Sequence, residues 1–502
     1  MVAFDEFKGF RLFHQSVPLI KTLIYIYILY NFSIVKGLIF IWAISQIYDF
    51  IMLKVMKLER ISPCDTLFMW NTQEQTYNIF IVLTLDNMDK EGIKNMVIEK
   101  GIKKFRKFRS MLTFRFFEWW WQEISIEESL KRIEFIDNKK QGCTIRSKED
   151  LTQWALTELA IKFDIKNELP YKFLIIENQE NAVGYQNLLI LKFDHCLSDG
   201  VSLMNFICAM SDNYSTKLFP ATMSKSISKV YELFAILLLP FNILKLIYLT
   251  FVELKPVKTI FKVDKPVTGV AKIALSDRFN LEEYMKFNKQ LGITFNDMMI
   301  SVLSAAAKKY LREKGAEVPD NILVVFPINM KPVPKGLEDI VITNDAAGNA
   351  VNIKLIDDVI TESKPISKKM SKLLRNFPWA KTNKVMADLM WYYLPFYVAR
   401  YIVLNVYRKL DLTMSNVPGP REALTYNGHK VLDMIPLFTP GFVQTFMGII
   451  SYAGSFKIIL VNDSSLDRDP NDFMKFLVDE LHLLKSRMLT ERVLPHDSKK
   501  SV

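Results

Sequence analysis

Residues 186–200 read QNLLILKFDHCLSDG, and the fold follows from how that stretch is parsed. Gln186 to Phe193 is a short apolar run ending at polar residues, which predicts a buried β-strand. The run stops at a loop, Asp194 to Gly200, and an apolar helix is predicted from about Val201. A buried strand feeding a loop and then a helix is the unit of an α/β fold. The loop places His195 where the sheet can hold it while its ring faces a cavity. An imidazole titrates near neutral pH and can take a proton from a hydroxyl. Asp199 follows four residues on, where a carboxylate can hold the loop, and Gly200 permits a backbone shape other residues avoid just before a helix. From these residues alone HxxxDG has two readings: a structural histidine or a base.

Working outward, Thr76 to Leu85 reads as a strand and Lys90 to Phe105 as a helix. Thr294 to Lys314 has helical periodicity, with Met298, Val302, Ala305 and Ala306 on one side. Ile322 to Phe326 is a strand ending at Pro327. Strands over Val431–Ile435, Ile449–Tyr452 and Phe456–Val461 precede a last helix, Asp472 to Leu489. Three stretches are greasier than a core requires. Thr22 to Tyr48, with Lys36 as its only charge, is long enough to cross a bilayer, although the lysine also allows a hairpin or an interfacial pair of helices. Lys54, Lys57 and Arg60 form a basic flank of the kind that stays cytoplasmic. Leu233 to Val252, broken by Pro240, reads as an amphipathic surface helix, and Leu389 to Val406 as a core or membrane-facing helix. The chain is therefore expected to be two α/β halves behind a hydrophobic anchor.

The 502 residues carry a formal charge of +11, are half apolar and only 24% charged, which argues against extended disorder. Such a basic excess suits a membrane surface, a polyanionic cofactor or nucleic acid, and no zinc-finger or helix-turn-helix spacing supports the last. The cysteines Cys64, Cys143, Cys196 and Cys208 form no CxxC pair, so neither a disulfide framework nor a metal site is expected. Cys196, beside His195, is a rival nucleophile, but neighbours in an extended loop seldom reach attack geometry. His429 reads as a turn residue, and His14, His482 and His496 have no supporting context. The basic run Lys103 to Arg109, interleaved with Phe, is either a solvated helix end or a contact for headgroups or phosphates; Trp119, Trp120 and Trp121 suggest a membrane–water boundary.

The loop at 194–200 resembles the HHxxxDG motif of the bacterial-type wax ester synthase/diacylglycerol acyltransferase family, within the superfamily of coenzyme A-dependent acyltransferases and condensation domains. Other blocks follow in the family's order: Ser62-Pro63-Cys64-Asp65, Leu169-Pro170-Tyr171, Thr294-Phe295-Asn296-Asp297, Pro327-Ile328-Asn329, Gly348-Asn349, Ser415-Asn416-Val417-Pro418-Gly419-Pro420 and Ser451-Tyr452-Ala453-Gly454. The match runs from about Ile61 to Leu489. One departure stands out: the motif's first histidine is Asp194 here. Neighbours along a strand point to opposite faces, so Asp194 is not expected to touch the His195 ring; in contact it would raise the ring's pKa and keep it cationic.

The resemblance implies two acyltransferase-like α/β domains, mixed sheets with flanking helices, at 58–220 and 266–490. A membrane anchor precedes them at 1–57, a hydrophobic linker joins them at 221–265, and a polar tail covers 491–502. It implies that His195 is the catalytic base, with Asp199 and Gly200 shaping its loop beside Asp194. Asn296, Asp297, Ser415 and Asn416 would line the site. No bound cofactor or metal is expected; the partners would be acyl-CoA as co-substrate, a lipid alcohol and membrane lipids, with no nucleic acid. The product would be a wax ester or triacylglycerol, and Lys499-Lys500-Ser501-Val502 resembles an endoplasmic-reticulum retrieval signal on a cytosolic tail. Two rivals stay open: another acceptor (sterol, isoprenoid alcohol or amine), or a non-catalytic lipid-binding scaffold.

Overall fold

The structure, a computed structural model, describes residues 23–25, 27–28, 30–31, 34–69, 77–115, 118–132, 135–137, 145, 147–165, 167–177, 187–218, 237–241, 243–244, 259, 261–263, 265–374, 377–394 and 396–490. His14, Cys143, His496, the dilysine tail and most of the 221–265 linker lie outside these residues.

In chain order the first half holds α1 (Ile34–Lys54), β1 (Leu58–Arg60), α2 (Pro63–Met69), β2 (Asn78–Leu85), α3 (Lys90–Met96), β3 (Ser110–Arg115), β4 (Glu118–Glu123), α4 (Ile126–Arg132), β5 (Phe135–Asp137), α5 (Lys148–Leu159), β6 (Tyr171–Glu177), β7 (Asn187–Asp194) and α6 (Gly200–Met210). The second holds β8 (Ala271–Leu275), β9 (Phe279–Asn280), α7 (Leu281–Leu291), α8 (Phe295–Glu313), β10 (Asn321–Asn329), β11 (Ala346–Lys354), α9 (Val359–Leu374), α10 (Phe377–Tyr393), α11 (Phe396–Tyr407), β12 (Leu412–Val417), β13 (Thr425–Tyr426), β14 (His429–Phe438), β15 (Thr445–Tyr452), β16 (Ser455–Asp463) and α12 (Pro470–Thr490).

The apolar run at 187–194 is a strand buried on both faces, as its composition demands. It lies inside a six-stranded mixed sheet of order β13-β14-β2-β7-β6-β5. A second sheet runs β11-β10-β12-β15-β16-β8, with β9 also paired to β16. The two α/β halves are thus present, but their boundary is not a cut in the chain. β14, from the second half, pairs along its length with β2 of the first, from Phe438 opposite Ile79 to Val431 opposite Leu85.

Several expectations need correction. Among the described residues no helix is long and apolar enough to cross a membrane; the anchor expected over Thr22–Tyr48 lies partly outside them, and its described part supplies no span. Helix α1, Ile34–Lys54, mixes Lys36, Ser45, Gln46 and Asp49 among its apolar residues. It lies on the first half, Tyr48 edge-on to Trp120 with ring centroids 5.8 Å apart and Asp49 paired with Arg60 at 3.0 Å. Trp120 and Trp121 are core residues, 0% and 1% exposed, because they point to opposite faces of β4 and both faces are covered, Trp120 by Met52 and Tyr48 of α1 with Leu58 and Trp121 by the first-half core and Lys107; they are not boundary tryptophans. The basic run divides: Lys103 and Lys104 are exposed, with Lys103 paired to Glu99 on the surface, whereas Arg106 pairs with Glu59 and Glu123, Arg109 with Glu123 and the buried Lys107 with Asp65. Strand β10 does not stop at Pro327 but continues to Asn329. Its ladder with β12 covers only Val324 and Val325, so beyond them β10 is an edge, where proline is tolerated. The apolar stretch 389–406 is two helices, α10 and α11.

Candidate active site

The sheet carries the loop one residue past the strand. Asp194 N–H donates to Pro170 O and His195 N–H to Tyr77 O, at 2.9 and 2.8 Å. Asp194, buried, accepts the N–H of Cys196 on Oδ1 at 2.9 Å, while its carbonyl accepts Leu197 N–H at 3.0 Å. The Asp194 carboxylate therefore closes the turn that presents His195. Asp199 ends the turn as the cap of α6, accepting Ser202 N–H at 2.9 Å. Gly200 opens the helix against the second half: a Cβ there would stand 3.2 Å from a methyl of Val417.

His195 is half-buried rather than sealed. Phe68 of α2 stacks on its ring, centroids 3.8 Å apart and planes 15° from parallel; Tyr77 and Phe442 continue the aromatic wall. Nδ1 is buried with no hydrogen-bond partner among the described residues. Burial pulls the imidazole pKa below its usual value, outweighing the opposing effects of its own carbonyl, Asp199, the Asn344 side chain and Asp65. The ring is accordingly neutral near pH 7, the form a base needs. The buried thiol of Cys196 is pushed well above its ordinary value, by burial first and then by Asp194, which disarms the rival nucleophile.

The second half completes the loop's support. Lys331, just past β10, forms a short ion pair with Asp199 and donates to Thr343 O at 3.0 Å. Asp345 N–H donates to the same carboxylate oxygen at 2.9 Å. Burial would raise the Asp199 pKa, but Lys331 and the N–H groups of Ser202 and Asp345 outweigh it and hold the group below the usual carboxylate value. A carboxylate so occupied shapes the loop and is not placed to transfer protons. Beside it Asn344 reaches three acceptors with its Nδ2: Asp65 Oδ1 at 2.8 Å, His195 O at 2.8 Å and Cys196 O at 3.4 Å. Asp65 also accepts Asn344 N–H at 2.9 Å, Lys107 Nζ at 2.7 Å and Trp121 Nε1 at 3.4 Å. The loop is thus clamped from both halves.

The remaining expected residues divide. Asn416 donates to Asn296 Oδ1 at 2.6 Å. Ser415, Asn416 and Val417 end β12, so the contact of Val417 with Gly200 brings this block to the loop. Asp297 is taken up elsewhere: it forms a capping box with Thr294 and accepts the Ser367 hydroxyl at 2.7 Å. That is a helix-stabilising role, and its carboxylate makes no hydrogen bond to the loop residues described above. Phe68, Asn344 and Lys331 escaped the sequence reading, and Lys107 entered it only as part of the basic run, read as a helix end or a headgroup or phosphate contact. Phe68 and Asp65 share the short helix of the Ser62–Asp65 block, a hint that α2 serves the site; Asn344 and Lys331 carry no local signal. Among the described residues no group of three or more His, Cys, Asp or Glu side chains could hold a metal.

The chain is similar to known proteins in sequence and in fold. Residues 352–485 match the family model described as the WS/DGAT C-terminal domain. A wax ester synthase/diacylglycerol acyltransferase of Arabidopsis thaliana, number 11 of its series, is 23% identical over 486 residues, covering 86% of this chain and 95% of the relative. The O-acyltransferase WSD of Acinetobacter baylyi is 24% identical over 162 residues, 32% of this chain and 34% of that one. The solved wax ester synthase/diacylglycerol acyltransferase of Marinobacter aquaeolei superposes with a TM-score of 0.56 at 17% identity, over 85% of this chain and 99% of that one. The starter condensation domain of rhizomide synthetase, solved as a mutant with C8-CoA, gives 0.57 at 10% identity, over 87% and 96%. The fold is that of condensation domains.

Proposed function

We propose that this chain, whose residues 352–485 match the WS/DGAT C-terminal domain and which resembles wax ester synthase/diacylglycerol acyltransferases over most of its length, is an acyl-CoA-dependent O-acyltransferase with His195 as its base. The observation that carries the reading is the half-buried His195 ring just past a strand end, on a loop held by residues of both halves. In the step we envisage, Nε2 takes the proton of an acceptor hydroxyl as its oxygen bonds to the thioester carbonyl carbon. The tetrahedral oxyanion collapses, the C–S bond breaks, and the imidazolium returns the proton to the departing coenzyme A thiolate. Acyl-CoA is consumed as a substrate and no covalent enzyme intermediate is required.

The acceptor is a lipid alcohol in this reading, a fatty alcohol or diacylglycerol, giving wax ester or triacylglycerol. Support comes from apolar surface: Ile39, Phe40, Ile44, Ile47 and Phe50 on α1 and Leu237, Phe241 and Leu244 are all exposed, as suits elements lying in a membrane interface rather than crossing it. With Lys36 exposed on the same helix, contact with an anionic leaflet is proposed, on the cytosolic face of the endoplasmic reticulum where acyl-CoA is available. Flotation with anionic vesicles, abolished by Ile47→Glu with Phe50→Glu, is the expected behaviour; unaltered flotation would remove α1 from the contact.

The decisive experiment expresses the chain in cells that make no neutral lipid and follows labelled acyl-CoA with fatty alcohol, diacylglycerol, sterol and amine acceptors. His195→Ala should lower turnover about 10²- to 10⁴-fold while the fold is retained. Equal lipid profiles from both proteins would leave only a lipid-binding scaffold.

A further inference from the structure

Phe68 lies over the ring of His195, centroids 3.8 Å apart and planes 15° from parallel. At that separation the two rings are almost squarely superposed, because atoms in facing planes keep about 3.5 Å between them. Between two phenyl rings, as at Phe108 and Phe206 in the core, such a stack is packing and nothing more. At residue 195 one of the rings is titratable, and a cation within about 6 Å of a phenyl centre is drawn to its face. The stack also bears on orientation. The last torsion of a histidine is broad, so the chain's own rotamer preference leaves the ring plane loose, and no hydrogen bond through Nδ1 tightens it among the described residues. Turning the imidazole out of its plane drives its edge into Phe68, and Phe68 is itself backed edge-on by Tyr77 and at a tilt by Phe442.

A histidine that takes a proton from an acceptor hydroxyl becomes an imidazolium, and burial works against that charge by pulling the ring's pKa down. The carboxylates around it are engaged with other partners. Asp65 of α2 holds Lys107 and Asn344, Asp199 holds Lys331, and Asp194 is turned to the N–H of Cys196. Tyr77 and Phe442 contribute rings to this wall. The group laid flat on the imidazole is the negative face of Phe68. We propose that Phe68 is a positioning residue with two effects on His195: it fixes the plane of the imidazole, and its π face stabilises the imidazolium formed when the ring takes the acceptor's proton. The inference rests on His195 being the base.

Helix α2 is held firmly enough for this. Ser62 Oγ accepts Asp65 N–H at 2.9 Å and donates to Asn344 O at 3.5 Å, and Cys64 Sγ donates to Ala346 O at 3.7 Å. Asp65 accepts the N–H and Nδ2 of Asn344 at 2.9 and 2.8 Å. Asp65 and Phe68, three residues apart, lie on one side of the helix, so the grip on Asp65 sets where Phe68 stands. The segment that grips α2 also grips the loop: Asn344 Nδ2 donates to His195 O at 2.8 Å, and Asp345 N–H donates to Asp199 at 2.9 Å. Base and stacking partner are thus referred to one stretch of chain, 344–346, and their separation is set by it. That gives the Ser62–Asp65 block a task in the site.

The test places at residue 68 phenylalanines bearing one, three and five ring fluorines, which keep the shape of the side chain while draining and then reversing the charge of its face. Phe68→Leu and Phe68→Tyr accompany them. Turnover should fall stepwise with fluorination, about 3- to 30-fold at five fluorines, with KM for acyl-CoA within about threefold. The acid limb of the rate profile should move down by about 0.5 to 1 on the pH scale, because a less stabilised imidazolium gives up its proton at lower pH. Leucine should lose at least as much, and tyrosine, which keeps the face, should retain most of the activity. A residue that only packs is blind to fluorine. Equal turnover and an unmoved limb across the series overturn the proposal, as does a leucine variant as active as wild type. The second readout needs no turnover: with 13C-labelled histidine, the His195 signal is identified by its loss in His195→Gln. Its titration midpoint should fall in step with fluorination, and constant midpoints overturn the proposal. If leucine prevents folding, the fluorinated series decides. If wild type transfers no acyl group to any acceptor, the functional reading falls while the titration still judges Phe68.

Discussion

Asp199 shows how one carboxylate can be indispensable beside a base without sharing its chemistry. It accepts from Lys331, from Ser202 N–H and from Asp345 N–H, so its two oxygens cap a helix in one half and anchor a lysine of the other. Asparagine would keep the cap but face an ammonium with an NH2 group, leaving Lys331 buried and unpaired. Breaking a buried pair from one side costs about 3–5 kcal/mol, and that is the expected loss for Asp199→Asn in denaturant unfolding at pH 7. Adding Lys331→Met should return part of it. The pH dependence has a definite sign. The folded pKa is depressed, so the stabilisation is fully present above the unfolded carboxylate value of about 3.9. It is lost as pH falls through the lower folded value. The gap between wild type and variant should therefore narrow in acid; a gap constant down to pH 3 would rule this account out. Of the site, the residues legible in sequence were those whose partners are local. His195 was marked by the strand that ends there, and Asp199 and Gly200 by the helix that begins there. Lys331, 132 positions from Asp199, and Asn344, 149 from His195, meet the loop only because the sheets bring them.

At the scale of elements, the crossing of two motif blocks is the tightest joint near the site. Gly419, in the block that follows β12, lies against the backbone at the end of β15: an added Cβ would stand 2.0 Å from Ser451 O. Its N–H donates to Ser451 Oγ at 3.1 Å, and Ala453 N–H donates to Pro420 O at 2.9 Å. A carbonyl cannot swing aside as a flexible side chain can, so Gly419→Ala must separate the two segments. The expected cost is at least the 1–3 kcal/mol or so of an overpacked core. Since Val417, two residues earlier, touches the start of α6, acyl transfer should fall with it. Normal stability and turnover in Gly419→Ala would mean the crossing is slack. Element type was largely readable here, since period and punctuation are local properties: 187–194, 295–313 and 470–490 all formed as expected. What failed was environment. Three adjacent tryptophans read as boundary residues because burial depends on partners the local pattern does not name; α1 with Leu58 closes over Trp120, and the first-half core takes Trp121.

The whole molecule is knit by a strand that sequence order assigns to the wrong side. Residues 266–490 read as one domain, yet β14 completes the sheet of the other half, opposite β2 over most of its length. The strand β2 is buried at almost every position, which a strand at an open edge cannot be. Without β14 it would present unpaired N–H and C=O groups beside an apolar face, the condition under which strands associate between chains. The clamp of Lys331, Asn344 and Asp345 on the loop crosses the same seam, so each half lacks part of what stabilises it. It follows that a fragment ending at residue 265 should be insoluble or associate, that the intact chain should unfold in a single cooperative transition, and that co-expression of 1–265 with 266–502 should recover soluble complex. Restoring residues 421–440 through a Gly-Ser linker to the first fragment should improve its solubility by supplying the missing strand. A first fragment that is monomeric and folded alone, by circular dichroism and size exclusion, would show that the exchanged strand is dispensable and that the halves are separate domains after all.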